Sequence, residues 1–504
     1  MMIRLTSLAA GAFLAAAALA GAQERPTNVI VILADDLGYG DVGSYGALPE
    51  HFTTPNLDRL AHEGVRFTDA RSPAAVCAPS RYAMLTGEYG FRGRTPGYRH
   101  VILRGDAALS IPPGTYTLPE MFRQHGYTTG LVGKWHLGLA GGGDDIDWNG
   151  EIKPGPLEVG FDTAFYIPST GDRVPTVLVR DHRVEGLDPA DPIRVSYTGK
   201  IGNEPTGAEN PEKATVLLGN PRGHDKTITM GVSRMGWMSG GKAALWKDDE
   251  LTDRLTDEAI QFIRDNRDQP FFLYFAPHSI HEPRITAERF AGKSGAGVYG
   301  DMVIELDDSI GRIMHALDEL ELTGETLLVV SSDHGASPSD LRSYQYGERA
   351  NLNGHRPNGV LRGQKYHLWE GGTRVPMFVR WPGHARAGTV SPALISLMDL
   401  HASFARLLGA DTPEGAARDS KELLDVLLGK SGQGREEWVV QANADQVALR
   451  KGDWKWVNGK LFDLSVDLAE EYDLTDVFPE RARQMDARLE QLKDELFPPW
   501  IIRR

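Results

Sequence analysis

Cysteine is nearly absent from this chain, since Cys77 is the one cysteine in 504 residues. An intramolecular disulfide needs two cysteines, so none can form. A lone thiol is either a small buried apolar side chain, as most free cysteines are, or a residue with its own chemistry. The residues around Cys77 decide between these two interpretations.

Positive charge is also scarce, with 54 lysines and arginines against 69 acidic residues and a formal net charge of −15. This surplus argues against nucleic acid as a partner, although a local basic pocket can still bind an anionic substrate. Hydrophobic residues make up 41% of the chain, which is enough for a large core. The length predicts one large α/β domain and a smaller one.

Long apolar runs are confined to the N-terminus, where residues 1–22 have the pattern of a secretory signal peptide. Arg4 supplies the positive charge, residues 5–19 are apolar and alanine-rich, and Ala20-Gly21-Ala22 is a cleavage site of the A-x-A type. The apolar run is shorter than a membrane span needs, and the alternative is an uncleaved anchor. We expect a periplasmic or secreted protein with no membrane span after signal cleavage.

Cys77 is predicted to lie at the N-terminus of a helix. Pro79 suits a first helical turn, and residues 82–85 can continue the helix. Free N–H groups and the helix dipole favour an anion at such a position. Arg81, one turn further on, adds a positive charge whose fork of donors fits oxyanions. These neighbours favour a reactive Cys77 over a cysteine that only packs as a small buried apolar side chain.

Polar side chains follow four predicted buried strands at the point where each strand ends. The strands and the residues after them are 28–33 with Asp35 and Asp36, 127–132 with Lys134 and His136, 271–275 with His278 and His281, and 326–332 with Asp333 and His334. Ligands bind outside the carboxyl ends of the strands in open α/β sheets. Lys134 and His136 alternate around Trp135, so in extended geometry they would share a face.

A divalent cation is predicted at this edge of the sheet. Asp35 and Asp36 repel each other unless a cation lies between them, and Asp333 with His334 would complete the site. Carboxylates with one histidine suit a hard cation better than zinc, which prefers more nitrogen or sulfur ligands.

The rest of the chain divides into loops, helices and a small C-terminal sheet. Helices are predicted at 54–64, 117–126, 251–266, 299–320, 394–408 and 479–496, and strands at 375–380, 438–440, 446–450, 454–457 and 460–464. We predict a catalytic domain at 23–410 and a smaller domain at 411–504. Residues 139–250 are expected to form loops over the active face, where loops carry specificity.

Two stretches of these loops remain open to two interpretations. Residues 169–173 are the most site-like of the region, but an ordinary Gly-Asp turn explains them equally well. The run His224-Asp225-Lys226 is ambiguous in the same way.

Six motifs between residues 34 and 376 resemble those of the sulfatase family, in the same order. They are Ala-Asp-Asp-Leu-Gly, Cys-x-Pro-Ser-Arg, Gly-Lys-Trp-His-Leu-Gly, Ser-Asp-His-Gly, Arg-Gly-x-Lys and Glu-Gly-Gly-x-Arg-Val-Pro. The resemblance implies an α/β, alkaline-phosphatase-like fold with a large mixed, mostly parallel sheet flanked by helices and a smaller C-terminal antiparallel sheet plus helix. It also implies sulfate ester hydrolysis, with Cys77 converted to formylglycine by a maturation enzyme and the aldehyde hydrate as nucleophile.

The same resemblance implies a metal held by Asp35, Asp36, Asp333 and His334 and also touched by Cys77. The usual metal in the family is calcium. Many members have Asn at the position of His334, and the nitrogen ligand leaves Mg²⁺ or another divalent cation open.

Roles for the remaining residues are also implied by the resemblance. Arg81 and Lys134 would hold the hydrate and the sulfate, and His136 would be the base that breaks down the intermediate. His281 best matches the family's leaving-group histidine, with His278 as the alternative. Lys365 would stabilise the bridging or departing oxygen.

The expected substrate is a sulfated carbohydrate. Residues 169–173 and 223–225 are similar to carbohydrate sulfatases of 6-O-sulfated galactose or N-acetylgalactosamine, which makes Asp172 and Arg173 candidate substrate-binding residues. The alternatives are a broad arylsulfatase, a phosphodiesterase or phosphonate hydrolase of the same superfamily, and a non-catalytic carbohydrate-binding relative. Intact Cys77, both lysines and all the metal ligands argue against the last.

Overall fold

The computed structural model describes residues 28–93, 103–218, 223–339, 351–442 and 446–497. The predicted signal peptide lies outside these residues. Within them, none of the helices combines the length and the apolar character that crossing a membrane requires.

A ten-stranded mixed sheet forms the centre of the larger part of the chain, in the order β15-β2-β14-β13-β1-β12-β4-β5-β6-β7. The strands are β1 (Asn28–Ala34), β2 (Val65–Phe67), β3 (Ala70–Arg71), β4 (Thr128–Lys134), β5 (Thr163–Ile167), β6 (Val179–Arg180), β7 (Arg183–Val184), β8 (Arg194–Ser196), β9 (Ile228–Thr229), β10 (Val232–Ser233), β11 (Trp237–Ser239), β12 (Phe271–Ala276), β13 (Thr326–Ser332), β14 (Met377–Arg380), β15 (Thr389–Ser391), β16 (Ile395–Ser396), β17 (Glu437–Gln441), β18 (Val447–Lys451), β19 (Trp454–Val457) and β20 (Lys460–Asp463). The adjacent strands β13, β1, β12, β4 and β5 are all parallel.

Both faces of this sheet are buried, which explains the continuous apolar runs in its strands. In β1, Val29 and Val31 pack into one hydrophobic core, and Ile30 and Ile32 pack into the core on the other face. Antiparallel strands flank the parallel centre, with β14 on one side and β6 and β7 on the other. The sheet is therefore mixed but mostly parallel, as predicted.

Helices cover the sheet on both faces. They are α1 (Pro55–Glu63), α2 (Cys77–Thr86), α3 (Leu118–Gln124), α4 (Leu251–Asp265), α5 (Gly297–Glu319), α6 (Glu370–Thr373), α7 (Leu400–Leu408), α8 (Leu424–Leu427) and α9 (Pro479–Leu496). The buried residues of α1, α4 and α5 join one core, and those of α3, α7 and α8 join the other. Most helices begin and end within a few residues of the bounds predicted from the sequence.

The helix predicted at 394–408 begins later than expected, at Leu400. Ile395 and Ser396 form the short strand β16, which pairs with β3, and the Ser396 hydroxyl accepts a hydrogen bond from the Met398 N–H. Tertiary pairing thus overrides helical periodicity in the first turns of this segment.

The C-terminal part is an antiparallel sheet in the order β17-β18-β19-β20 with α9 packed against it. Its core contains Trp438, Leu449 and Met485, and it also takes in Ala75 and Ala83 from the larger part of the chain. The small sheet therefore packs against α2. The domain boundary at residue 410 remains a prediction.

A buried ionic network also joins the two parts. The carboxylate of Glu370 lies 2.6 Å from Arg71, 3.0 Å from Arg374 and 3.0 Å from Lys455, which comes from the C-terminal sheet. Burial alone would raise the pKa of Glu370, but Arg71, Lys455 and Arg374 hold it well below its usual range. The network pairs charges that have left water, so removing Glu370 leaves three buried cations with only Asp69 and Glu470, among the described residues, to compensate them.

Glu370→Gln is expected to lower the free energy of unfolding by about 3 kcal/mol or more, because it leaves buried cations without their shared carboxylate. Urea unfolding followed by tryptophan fluorescence measures the change. Glu422→Gln is the matched control, since Glu422 pairs with Arg406 at the surface and should cost less than about 1 kcal/mol. Equal stability of the two variants would contradict a stabilising role for the network.

Candidate active site

The register of the parallel strands brings their carboxyl ends to one edge of the sheet. Ala34 of β1 pairs with Ser332 of β13, and Ala276 of β12 pairs with Gly133 of β4. The polar residues that follow each strand therefore meet at one place, as the sequence predicted. All of the predicted catalytic and metal-binding side chains are buried there.

Four of these side chains form a group that could hold a metal ion. Single ligand atoms of Asp35, Asp36, Cys77 and His334 all lie within 4.8 Å of one another. Asp333 is adjacent, with its Oδ1 atom 3.3 Å from His334 Nε2. The predicted ligand set is therefore brought together by the fold.

Positively charged side chains surround the same carboxylates. Lys134 Nζ donates to Asp35 at 2.5 Å, and Lys365 Nζ donates to Asp36 at 2.7 Å. Arg81 holds Asp333 through its Nε and Nη2 atoms, at 3.0 and 2.8 Å. Each of the three carboxylates is thus paired with a cationic side chain.

These contacts shift the pKa values of the groups at the site. Burial would raise the pKa of Asp35, but Lys134 and other cationic neighbours hold it well below its usual range. Burial would also raise the pKa of the Cys77 thiol, yet Lys134, Lys365 and His334 lower it. Negative charge is therefore favoured on both the carboxylate and the thiol.

A hard divalent cation fits this group of residues. Asp35 Oδ1 is buried and has no hydrogen-bond partner among the described residues, so a ligand atom is available. Carboxylate oxygens are what Ca²⁺ and Mg²⁺ prefer, and the histidine nitrogen is compatible with other divalent cations. A divalent ion would add positive charge where carboxylates from two strands converge.

Cys77 begins helix α2, as the sequence predicted, and its sulfur lies 3.1 Å from His334 Nε2. The segment before it is fixed on both sides by backbone hydrogen bonds. The Ala75 N–H donates to Gln441 O of the C-terminal sheet at 2.8 Å, and the Tyr366 N–H donates to Ala75 O at 2.9 Å. The thiol is therefore held at the helix N-terminus by both parts of the chain.

Lys134 and His136 do not continue one extended strand, contrary to the geometry assumed from the sequence. Strand β4 ends at Lys134, and His136 has a φ of 53°. The His136 Nε2 atom lies 3.0 Å from Arg173 Nη1 and 3.2 Å from Leu103 O. Burial, Lys134 and Arg173 hold the pKa of His136 well below its usual range, so its ring is neutral at pH 7.

The two histidines after β12 lie together beside Asp35. His281 is oriented by its Nδ1 atom, which is 2.7 Å from Glu282 O. Neither ring nitrogen of His278 has a hydrogen-bond partner among the described residues. Burial holds the pKa of His278 down to about 4, and burial together with Lys365 holds that of His281 well below its usual range.

A second buried cluster follows β5. His224 Nε2 lies 2.7 Å from Asp172 Oδ2 and 3.9 Å from Glu282 Oε1. Arg173 Nη2 is 3.7 Å from the same Asp172 oxygen. Burial would raise the pKa of Asp172, but Arg173 and His224 hold it well below its usual range. The two ambiguous loop stretches of the sequence thus meet at one place.

Two residues of the site were not identified from the sequence. Tyr274 lies in the middle of β12, and its hydroxyl accepts from Arg81 Nη1 at 3.0 Å. Nothing in the sequence distinguishes this tyrosine from other core aromatics. Glu282 directly follows His281, so its position after a polar strand end was a usable signal.

The fold and the site together define an enzyme of the alkaline-phosphatase-like class. A large, mostly parallel sheet brings candidate metal ligands, lysines and a helix N-terminus to one edge, which suits an anionic ester.

Comparisons with known proteins narrow this class. A sequence model of the sulfatase family matches residues 27–410. The chain is 44% identical to the N-acetylgalactosamine-6-O-sulfatase of Bacteroides thetaiotaomicron, over 94% of each protein. It is 36% identical to mouse steryl-sulfatase, over 87% of this chain and 70% of the relative.

A solved structure from work on the metabolism of multiple glycosaminoglycans by B. thetaiotaomicron is similar throughout. It has a TM-score of 0.88 and 43% identity, and the match covers 93% of this chain and 99% of that one. The chain belongs to the sulfatase family and is a sulfuric ester hydrolase.

Asp36→Asn is expected to weaken divalent metal binding by at least about tenfold, because it removes a charged ligand from the group. Calorimetric titration of Ca²⁺ into the chelator-treated protein measures the dissociation constant. Asp307→Asn is the control, as Asp307 is also buried but belongs to none of the groups of described residues that could hold a metal ion. Unchanged affinity in Asp36→Asn would contradict the assigned ligand set.

Proposed function

We propose that this enzyme hydrolyses the sulfate ester of a sulfated carbohydrate through a formylglycine made from Cys77. The observation that carries the proposal is the position of Cys77, which is buried at the N-terminus of α2 and 3.1 Å from His334 within the metal-binding group. When formed, the aldehyde hydrate supplies a nucleophile for sulfur. Maturation requires a formylglycine-generating enzyme in the host.

Asp35, Asp36, Asp333 and His334 would hold the metal, with residue 77 beside it. We propose Ca²⁺, which three carboxylates suit, with Mg²⁺ as the alternative. A divalent cation supplies charge for the sulfate oxygens when bound.

Lys134 and Lys365 neutralise the remaining charge of the sulfate ester. Each ammonium donates to one of the candidate metal-binding carboxylates and has further N–H groups that could donate to an anion at the site. Arg81 donates to Asp333 and Tyr274, which fixes its guanidinium and orients Asp333, and it supplies positive charge for the hydrate and the sulfate.

Two histidines move protons at the two ends of the reacting bond. His136 exchanges a proton at the nucleophile side, where its neutral ring is an effective partner. His281 is assigned to the leaving alcohol because the carbonyl of Glu282 holds its Nδ1–H and leaves Nε2 for the substrate. The negative charge of the bound sulfate ester would raise the pKa of His281, so that Nε2 carries the proton given to the departing oxygen. His278, which has no such orienting contact among the described residues, is the alternative.

The cluster after β5 supports a sugar substrate. Asp172 is a buried acceptor, and Arg173 Nε has no hydrogen-bond partner among the described residues, so both can bind hydroxyl groups. The relative at 44% identity is an N-acetylgalactosamine-6-O-sulfatase. We therefore propose 6-O-sulfated galactose or N-acetylgalactosamine as the substrate, bound in part by Asp172 and Arg173.

The remaining assignments follow from the sequence alone. Residues 1–22 are proposed as a signal peptide and the mature protein as periplasmic or secreted. The division into a catalytic domain at 23–410 and a smaller domain at 411–504 is proposed on the same basis.

Cys77→Ala is expected to abolish sulfate release while leaving the fold intact, because no aldehyde can form. Sulfate release is measured on a panel of sugar sulfates and one aryl sulfate, and mass spectrometry of the residue 77 peptide reports the aldehyde. Cys77→Ser should behave like alanine in a host that matures only cysteine. Turnover retained by Cys77→Ala would defeat the formylglycine mechanism, and a confirmed aldehyde without any sulfate release would favour phosphate esters.

Asp172→Asn is expected to lower kcat/KM for a 6-O-sulfated galactoside by about tenfold or more, since a hydrogen bond to a charged group is worth about 1.5–3 kcal/mol. The loss on an aryl sulfate should be much smaller, because that substrate offers no sugar hydroxyl. The same comparison with a 4-O-sulfated sugar tests the position. Equal losses on sugar and aryl esters would contradict sugar binding by Asp172.

A further inference from the structure

One terminal nitrogen of Arg173 is shared between a backbone carbonyl and a catalytic candidate. The Nη1 atom donates to Leu103 O at 2.7 Å and to His136 Nε2 at 3.0 Å. The side chains of Arg173 and His136 are both buried, so water does not compete for these contacts.

The chemistry of these groups determines which nitrogen of His136 carries the proton. A guanidinium has only N–H donors, so the nitrogen facing it must accept. A neutral imidazole that accepts at Nε2 carries its hydrogen on Nδ1. The ring is neutral because burial, Lys134, Arg173 and Arg81 all lower its pKa.

The carbonyl oxygen of Leu103 would favour the other tautomer of His136, with the proton on Nε2. It lies 3.2 Å from His136 Nε2, close enough to accept an Nε2–H hydrogen bond if Arg173 did not occupy that nitrogen. With Arg173 present, the two acceptors instead share the two N–H groups of one nitrogen. Arg173 therefore selects between two tautomers of comparable geometry.

We propose that Arg173 is a positioning residue that fixes the proton of His136 on Nδ1. The Nδ1 atom is buried and has no hydrogen-bond partner among the described residues, so it is the ring nitrogen left for a reacting oxygen. This inference rests on the proposed function in placing His136 at the reaction centre. In this tautomer His136 meets that oxygen as a hydrogen-bond donor through Nδ1–H rather than as the base implied by the resemblance, and this donor is lost when the proton lies on Nε2.

The other donors of Arg173 connect this arrangement to the substrate. Its Nε atom has no hydrogen-bond partner among the described residues, and Nη2 is 3.7 Å from Asp172, beyond hydrogen-bonding distance. A sugar oxygen that accepted a hydrogen bond from this edge of the guanidinium would change the position of the Nη1 atom that contacts His136. Arg173 would therefore take part both in substrate binding and in setting the tautomer of His136.

Histidine ¹⁵N spectra of the folded protein at pH 7 test the proposal, because protonated and bare ring nitrogens have different chemical shifts. The signals of His136 are identified by their absence in His136→Gln. We expect a protonated Nδ1 in the native protein and a protonated Nε2 in Arg173→Met, which keeps the apolar stem but has no donor. Asp172→Asn is the control, since it changes the neighbouring charge but leaves the donor in place, and it should keep the native tautomer.

Turnover of an aryl sulfate separates this role from sugar binding. The aryl ester offers no sugar to Arg173, so Arg173→Met acts on it through the loss of the His136 Nδ1–H donor at the reacting oxygen. We expect kcat to fall by about tenfold or more while KM changes by less than about twofold. An unchanged kcat, a native protein protonated on Nε2, or an unaltered spectrum in Arg173→Met would each overturn the proposal. Absence of sulfate release from every ester would defeat the proposed function instead, and the spectra would still decide the tautomer.

Discussion

The structure of the site depends on the neutralisation of three carboxylates that are removed from water at one edge of the sheet. Asp35, Asp36 and Asp333 have no exposed surface, and each is paired with a cationic side chain. Isolated buried carboxylates would be too costly to keep ionised, so the fold at this edge depends on Lys134, Lys365 and Arg81 as their partners. The same positive charges make this edge attractive to an anionic ester.

Much of this arrangement could be predicted because its elements are local in the sequence. The central strands are continuous apolar runs, and in a parallel sheet their polar ends must meet at one edge. Helix α2 was predictable from Pro79 and the residues after it. The convergence of the candidate metal ligands could be predicted from these local patterns without any knowledge of the loops.

The parts that could not be predicted depend on contacts between distant segments. His224 reaches Asp172 across a long irregular stretch, and no periodicity specifies where such a stretch returns. The positive φ of His136 is set by its surroundings, so the extended geometry assumed from alternation with Lys134 was wrong. Helix α7 starts late because its first expected turns pair with β3, a partner far away in the chain.

The contact between Ala75 and Gln441 has a consequence for the order of events during synthesis. Gln441 belongs to the first strand of the C-terminal sheet, which is made long after Cys77. The segment that positions Cys77 cannot reach its final pairing before that strand exists. The folded surroundings of the thiol are therefore completed late in synthesis. A modification of Cys77 that requires an unfolded segment can take place at any time before the C-terminal sheet forms.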